Sequence, residues 1–148
     1  MPFQLSTRGR YGLRLMVALA LDYGGGVTLL KELSRREGIS EKYLGQIVIP
    51  LKNAGLISSQ RGSRGGYALA RPPETVTVKD VVEAIEGKIS PVPCVDDPES
   101  CNRVSSCVAG RVGKRLGEDI EKSLSSFTLA DLAQQARELS GAAGEYVI

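Results

Sequence analysis

Two short helical segments separated by Gly38-Ile39-Ser40 constrain the fold of this chain more than any other feature. The first is predicted over residues 29–37 with Thr28 as its N-cap, and the second begins after Ser40 and carries an apolar stripe. Gly38 suits the left-handed position that follows a helix. Two short helices joined by a tight glycine-containing turn predict a helix-turn-helix unit, whose second helix can enter a major groove.

A further helix precedes this unit and a basic hairpin follows it. Ser6 can cap a helix over residues 7–22, and residues 56–60 and 67–70 alternate as two strands around a glycine-rich turn. The turn carries Arg61 and Arg64, which can grip phosphates or lie along a minor groove. A solvated turn is the alternative for this tip. Helix-turn-helix followed at once by a basic hairpin predicts a winged helix.

Charge divides the chain in two. Residues 1–72 hold 11 Lys and Arg against 4 Asp and Glu, whereas residues 73–148 hold 8 against 13, so the halves carry +7 and −5. A basic half attracts polyanions and an acidic half repels them, so the N-terminal half is expected to meet nucleic acid. No run approaches the roughly 18 apolar residues of a membrane span, and the N-terminus lacks a signal pattern, so we expect no membrane partner and a cytoplasmic protein.

A long helix is expected after residue 107. Apolar residues recur in it at every fourth position, and glycines line an adjacent strip. The apolar set is Val108, Val112, Leu116, Ile120 and Leu124, and the glycines are Gly110, Gly113 and Gly117. Each interior glycine costs about 0.8–1 kcal/mol relative to alanine, and close approach by another helix would compensate. We therefore expect a two-fold homodimer through this helix, with coverage of the chain's own core as the alternative.

The expected fold class is mainly α with a small β-hairpin wing. The winged helix-turn-helix is assigned to residues 1–88, a cysteine loop to 89–107, the dimerisation helix and a C-terminal helix to 108–140, and a loose tail to 141–148. Thr77 is expected to cap a helix that packs back on the winged unit, and Thr128 to start the last helix.

All three cysteines, Cys94, Cys101 and Cys107, fall in one short window of a chain without histidine. Thiolates are the usual ligands of iron-sulfur clusters, and one loop with the spacing Cys-x6-Cys-x5-Cys can supply three of them. A fourth ligand would be a loop carboxylate, an oxygen donor of a partner subunit, water or a small thiol. The loop carboxylates are Asp96, Asp97 and Glu99. Structural zinc, a reactive or intermolecularly bonded thiol, and three unrelated buried cysteines are the alternatives.

Four segments resemble the Rrf2 family of bacterial regulators: residues 5–12 (LSTRGRYG), 40–44 (SEKYL), 51–56 (LKNAGL) and 61–67 (RGSRGGY). The cysteine trio is similar to that of the family's iron-sulfur cluster regulator, or IscR-like, branch. The resemblance implies a homodimeric transcription factor, repressor or activator, that binds promoter DNA. It also implies that a [2Fe-2S] cluster on Cys94, Cys101 and Cys107 senses cluster status, redox state or nitric oxide.

The chain departs from that pattern at four positions. Gly110 stands where the cluster regulator has a histidine, and Arg10 stands where a nitric-oxide-sensing relative has an aspartate ligand, so neither known fourth ligand is present. Lys42 and Gly45 stand where the cluster regulator has serine and glutamate in its reading helix. A different operator sequence is therefore expected.

The residues expected to contact DNA come from three parts of the winged unit. They are Lys42, Tyr43 and Gln46 in the groove, Arg61 and Arg64 at the wing, and Arg8 and Arg10 on phosphates. A dimer would present two reading helices about 34–36 Å apart, or a multiple of that distance.

Other classes of protein explain less of the sequence. An enzyme is not expected, because the chain has no histidine, no nucleotide-binding glycine fingerprint and no nucleophile motif in a recognisable setting. A metal-free thiol-based redox regulator or cysteine-metabolism regulator of the same fold is one alternative. An iron-sulfur carrier is another, but it leaves the basic winged unit unexplained.

Overall fold

The elements follow the predicted order. The computed structural model describes residues 4–90, 99 and 106–147, with side chains through residue 141. The elements are helices α1 (Thr7–Leu21), α2 (Leu30–Glu37) and α3 (Glu41–Asn53), strands β1 (Ile57–Gln60) and β2 (Gly66–Leu69), a 3-10 turn (Pro73–Thr75), and helices α4 (Val78–Glu86), α5 (Val108–Ser125) and α6 (Leu129–Val147). The predicted fold class, a mainly helical winged helix with a long helix after it, is confirmed.

Serine caps fix the starts of α1 and α3. The Ser6 hydroxyl accepts the Gly9 N–H at 2.9 Å, and the Ser40 hydroxyl accepts the Tyr43 N–H at 3.1 Å. Each bond satisfies a donor that the first turn of a helix leaves without a partner. Gly38 ends α2 with a φ of 67°, a left-handed conformation that glycine adopts without a steric penalty. Both serine caps and the glycine stop agree with the sequence prediction.

Thr28 does not cap α2, so that prediction is wrong. The helix begins at Leu30, and its N-cap Leu29 makes no side-chain cap bond. The Thr28 backbone instead exchanges two hydrogen bonds of 2.8 Å with Tyr67 of β2, and its hydroxyl donates to Asp22 at 2.7 Å. These tertiary partners hold Thr28 against the wing, where it extends the antiparallel hairpin as an isolated bridge.

The core lies where α1, α3 and α4 meet, and α6 closes it against α1. Its largest fully buried side chains are aliphatic residues and one methionine. They are Leu15, Met16, Leu19, Leu33, Leu44, Ile47, Leu51, Val76, Val81, Val82 and Leu129. Six of them come from the inner faces of α1 and α3, three from each helix, so burial of these faces fixes how α3 is held against α1.

A two-bond bridge joins the starts of α4 and α6. The Val78 N–H donates to the Phe127 carbonyl, and the Leu129 N–H donates to the Val76 carbonyl, both at 2.9 Å. Each helix also begins with a reciprocal cap, in which a threonine hydroxyl accepts the N–H of an aspartate three residues later and the aspartate accepts the threonine N–H. These caps are Thr77 with Asp80 and Thr128 with Asp131.

The apolar stripe of α5 divides into two parts. Leu116, Ile120 and Leu124 line a cavity with Val82 of α4. Val108 and Val112, by contrast, are 73% and 65% exposed. The C-terminal part of the stripe is therefore half-buried at a cavity beside α4, while the N-terminal part has no apolar cover among the described residues. The dimer itself stays a prediction.

The segment expected to be a loose tail is helical. Helix α6 continues through residues 141–147 instead of ending near residue 140. Ala142, Ala143 and Glu145 are favourable helix formers, and they offset the cost of the glycines at positions 141 and 144. No helix within the described ranges is long and apolar enough to cross a membrane.

Candidate nucleic-acid interface

The outward face of α3 carries the residues expected to read DNA. Lys42 and Gln46 are exposed, whereas the inward residues of the same helix are buried in the core. Gln46 and Tyr43 line a surface groove of about 330 Å³ together with Arg8 of α1. The structure thus brings three of the predicted contact residues to one groove, with a cation at its edge.

Tyr43 is held from behind by α1. Its ring meets the Tyr11 ring edge-on, with centroids 5.6 Å apart and an interplanar angle of 81°. The Arg14 guanidinium lies 5.5 Å from the Tyr11 ring centroid and bonds the Glu37 carboxylate at 3.3 Å. Edge-to-face pairs and cation–π contacts each favour one geometry, so this stack fixes the groove wall that Tyr43 forms.

The arginines of the winged unit fall into two groups, whereas its lysines are mixed: Lys79 pairs with Glu83, and Lys31, Lys42 and Lys52 have no carboxylate within 4.0 Å among the described residues. Arg14, Arg35, Arg36 and Arg71 each have a carboxylate partner. Within the described part of the chain, the cations among the predicted DNA contacts have no carboxylate within 4.0 Å. These unpaired cations are Arg8, Arg10, Lys42, Arg61 and Arg64. Their charge is therefore available to a polyanion, whereas the other group is already neutralised by partners within the chain.

Arg10 lies apart from the α3 groove. Its guanidinium donates to the Thr7 hydroxyl at 3.4 Å, and its side chain lines a separate pocket with Gln4, Leu5 and Ser6. Arg8 and Arg10 therefore face different surfaces of the first turn of α1, although the sequence assigned both to phosphates.

The wing tip depends on glycines that allow backbone atoms to approach closely. Gly62 has a φ of +104°, and the Gly65 N–H donates to the Gly62 carbonyl at 3.0 Å. A Cβ on Gly65 would lie 2.4 Å from the Gln60 carbonyl oxygen, and one on Gly66 would lie 2.4 Å from the Thr28 carbonyl oxygen. The tip holds Arg61 and Arg64, both exposed, on this tight turn.

An ion pair joins the end of α1 to α2. The Asp22 carboxylate accepts from the Arg36 guanidinium at 2.7 Å and from the Thr28 hydroxyl at 2.7 Å. Partial burial opposes ionisation of Asp22, but the hydrogen bonds from Arg36 and Thr28 and the charge of Arg36 outweigh it and lower the pKa of the carboxyl. The pair anchors the first helix of the helix-turn-helix unit, and Thr28 links the same carboxylate to the wing.

Of the three cysteines, only Cys107 lies in the described part of the chain. It is the N-cap of α5, is half-buried, and its sulfur accepts the Gly110 N–H at 3.4 Å. Cys94 and Cys101 lie outside the described residues, as do Asp96 and Asp97, and Glu99 is exposed. Among the residues that the structure describes, no three His, Cys, Asp or Glu side chains group closely enough to hold a metal ion.

Glu86 joins the end of α4 to the start of α1. Its Oε1 atom accepts the Ser6 N–H at 3.0 Å, and a Cβ on Gly9 would lie 2.9 Å from the same oxygen. A carboxylate is favourable at the positive end of a helix dipole. The cysteine loop assigned from the sequence begins three residues after Glu86, so one side chain links that loop's origin to the helix that carries Arg8.

Two residues of this surface were missed by sequence reasoning. Ile49 is 58% exposed on α3 and lines the same groove as Gln46. Its position seven residues after Lys42, two helical turns along, could have placed it on that face. The contact between Glu86 and Ser6 joins positions 80 residues apart, and no local pattern signals it.

Comparison with known proteins gives one consistent result. The Rrf2 family, described as "Iron-dependent Transcriptional regulator", matches residues 5–135. The HTH-type transcriptional regulator CymR of Bacillus subtilis is 42% identical over 130 residues, which are 88% of this chain and 89% of that protein.

Solved structures agree with the sequence matches. The structure of CymR, the global cysteine regulator of B. subtilis, superposes with a TM-score of 0.73 at 39% identity and covers 90% of this chain and 98% of that one. The structure of IscR from T. potens superposes with a TM-score of 0.76 at 36% identity and covers 93% and 90%.

Proposed function

The chain belongs to the Rrf2 family of transcriptional regulators, and from that premise we propose that it is a homodimer that binds promoter DNA and responds to the state of a [2Fe-2S] cluster. Cys94, Cys101 and Cys107 would hold the cluster. The sensed condition is cluster status, redox state or nitric oxide.

The observation that carries the DNA-binding half of the proposal is the division between paired and unpaired cations. Arg8, Lys42, Arg61 and Arg64 are exposed and have no carboxylate partner in the described residues, although four neighbouring arginines do. When a phosphate binds to an unpaired cation, no ion pair within the protein has to break, and counterions of the duplex are released. Lys42 and Gln46 project from the second helix of the helix-turn-helix unit, the element that enters the major groove.

The donor set fits an iron-sulfur cluster in its chemistry. The half-buried Cys107 sulfur accepts the Gly110 N–H, and hydrogen bonds of this kind tune a thiolate ligand. Three thiolates from one chain, in a family described as iron-dependent, favour iron and sulfide over zinc. A bound cluster would supply a redox-active centre that can be lost or exchanged.

The chain's own residues offer a route between the thiols and the reader. Glu86 ends α4, just before the cysteine loop, and bonds the Ser6 N–H at the start of α1. Arg8 lies two residues further along and lines the α3 groove. A change in residues 89–107 would therefore reach the DNA-facing surface through Glu86.

The proposed dimer would use the exposed part of the α5 stripe. Val108 and Val112 lie in the first turns of that helix and are mostly exposed. An apolar pair at helical spacing, next to glycines that permit close approach, suits an isologous contact with the same helix of a second copy. Burial of Val108 in such a contact would also bring the Cys107 residues of both copies near the interface.

Purification without oxygen tests the cluster. The full chain is expected to be red-brown, with visible absorbance and equal amounts of iron and acid-labile sulfide. Cys107→Ser is the sharpest variant, because serine is itself a preferred N-cap and keeps the start of α5 while removing the thiolate. It should lose or shift the visible absorbance with unchanged helix content. A colourless wild-type protein without iron would refute the cluster and indicate the metal-free thiol regulator.

Salt dependence of DNA binding tests the reader. Arg8→Ala and Arg61→Ala are each expected to make the negative slope of log K against log salt shallower by about one unit. Arg35→Ala is the matched control, since its guanidinium is already bonded to Glu32, and its slope should equal that of the wild type. Equal slopes for all three variants would refute the assigned contacts.

A further inference from the structure

Ile49 is an aliphatic side chain on the outward surface of the reading helix. It is 58% exposed, while the core positions of the same helix, Leu44, Ile47, Val48 and Leu51, are buried. The core therefore does not account for an isoleucine at position 49. Large exposed apolar residues with no partner in the fold often mark a contact with another molecule.

The helix geometry places Ile49 with the polar readers. At about 100° per residue, Lys42, Gln46 and Ile49 fall within an arc of about 60°. Gln46 and Ile49 line one groove, and Arg8 contributes a cation to its edge. A duplex that brings its phosphates to Arg8 and its base edges to Gln46 thereby brings the major-groove floor towards Ile49.

Gly45 leaves room for this approach. It lies about 40° around the helix from Ile49, on the side away from Gln46, and a Cβ built there would meet only the Leu30 Cδ2 atom, at 3.9 Å. The position could hold a side chain without a clash, yet it holds none. The surface beside Ile49 on that side is therefore low, and it leaves the exposed carbons of Ile49 accessible.

We infer that Ile49 is a specificity-determining residue that contacts the C5-methyl group of a thymine in the operator. Thymine is the base that presents a methyl group in the major groove, and apolar side chains are its usual partners there. The contact adds discrimination between thymine and cytosine to the hydrogen bonds of Gln46. This inference rests on the proposed DNA binding and deepens it by naming one base that the surface selects.

The test replaces single thymines by deoxyuridine, which removes only the methyl group. Duplexes are first selected from a random pool by the full wild-type chain, in cluster-loaded and cluster-free preparations. Each thymine of the selected site is then replaced in turn, and affinities are measured for wild type and Ile49→Ala. Leu29→Ala is the matched control, because Leu29 is 50% exposed on the same unit but lies outside this groove.

The wild type and Leu29→Ala should both lose about three- to fivefold in affinity at one thymine per half-site, the change expected for one methyl group withdrawn from an apolar contact. Ile49→Ala should bind thymine and uracil equally at that position. Ile49→Val removes a single methyl and should show an intermediate ratio, so the test does not depend on one variant. Helix content by circular dichroism checks that each variant is folded.

Other outcomes separate the two levels of the proposal. If wild type selects a site but tolerates uracil everywhere, or if Ile49→Ala keeps the same uracil penalty, the thymine contact is refuted and DNA binding stands. A changed oligomeric state of Ile49→Ala without any uracil effect would also refute it, and would place Ile49 in a protein interface. Failure of every wild-type preparation to retain duplex would refute the proposed function, and the thymine contact with it.

Discussion

Replacement of Gly66 by alanine should displace the wing. Gly66 has a φ of +153°, and an alanine Cβ would lie 2.4 Å from the Thr28 carbonyl oxygen and 2.6 Å from the Thr28 carbonyl carbon. Both are backbone atoms, so no side-chain rotation relieves the overlap. The wing must either separate from Thr28 or retain the strain.

Either response costs a similar amount of free energy. Strained backbone conformations cost about 1–3 kcal/mol, and overpacking by one methyl group costs about 1–3 kcal/mol. Separation instead breaks the two Thr28–Tyr67 hydrogen bonds, at about 1 kcal/mol each, and exposes the strand that they cover. We therefore expect Gly66→Ala to lower the free energy of unfolding by about 2–5 kcal/mol.

Urea denaturation measures this change, and a control glycine isolates its cause. Gly45→Ala introduces the same methyl group in a helix with open space around it, so it should raise the free energy of unfolding by about 0.5–1 kcal/mol. The midpoint of the Gly66→Ala transition should fall with an unchanged m-value.

Hydrogen exchange locates the effect. The Thr28 and Tyr67 amides, which donate across the bridge, should lose protection in Gly66→Ala while the α1 amides keep theirs. A Gly66→Ala protein with wild-type stability and protected bridge amides would show that the close approach of Thr28 and Gly66 does not hold the wing.

Three further changes test separate contacts. Asp22→Asn should lower the free energy of unfolding at neutral pH. Partial burial opposes ionisation of the Asp22 carboxyl, but the hydrogen bonds from Arg36 and Thr28 lower its pKa, so its contribution in the wild type is complete above a pH of about 4 and is lost as the pH falls through the lowered pKa. Acid titration of unfolding should show this pH dependence in the wild type and not in the variant. Cys107→Ala should unfold more readily than Cys107→Ser by about 0.5–2 kcal/mol in metal-free protein, because only serine keeps a cap on α5, and equal urea midpoints would count against the cap. Thr77→Ala should cost about 1 kcal/mol in urea denaturation, and a neutral result would mean that the two-bond bridge alone holds the start of α4.

Local chemistry is what the sequence predicted well. Ser6, Ser40 and Thr77 cap the helices that their positions indicated, and Gly38 ends α2 in the left-handed conformation expected of it. A cap is decided by atoms within three residues of it, so its signal lies in the local sequence. The winged-helix class followed from these local signals and their order.

Features that depend on distant partners were predicted less well. Thr28 looks like a helix cap, but its hydroxyl and backbone are engaged by Asp22 and Tyr67 instead. The contact of Glu86 with Ser6 and the division of the α5 stripe also depend on which helices pack together. Cys107 caps a helix in addition to its predicted role as a ligand, and the roles of Cys94 and Cys101 stay predictions.

Two hydrogen bonds between residues 76–78 and residues 127–129 join the two ends of the part of the chain that carries all three cysteines. The segment from α4 to the end of α5 begins and ends at this bridge, so its two ends lie side by side. A rearrangement of this segment that moved its two ends apart would have to break both hydrogen bonds, at about 1 kcal/mol each. The start of the last helix is thus tied to the start of α4, and the proposed signal from the cysteines leaves this segment through Glu86 and its bond to Ser6 at the start of α1.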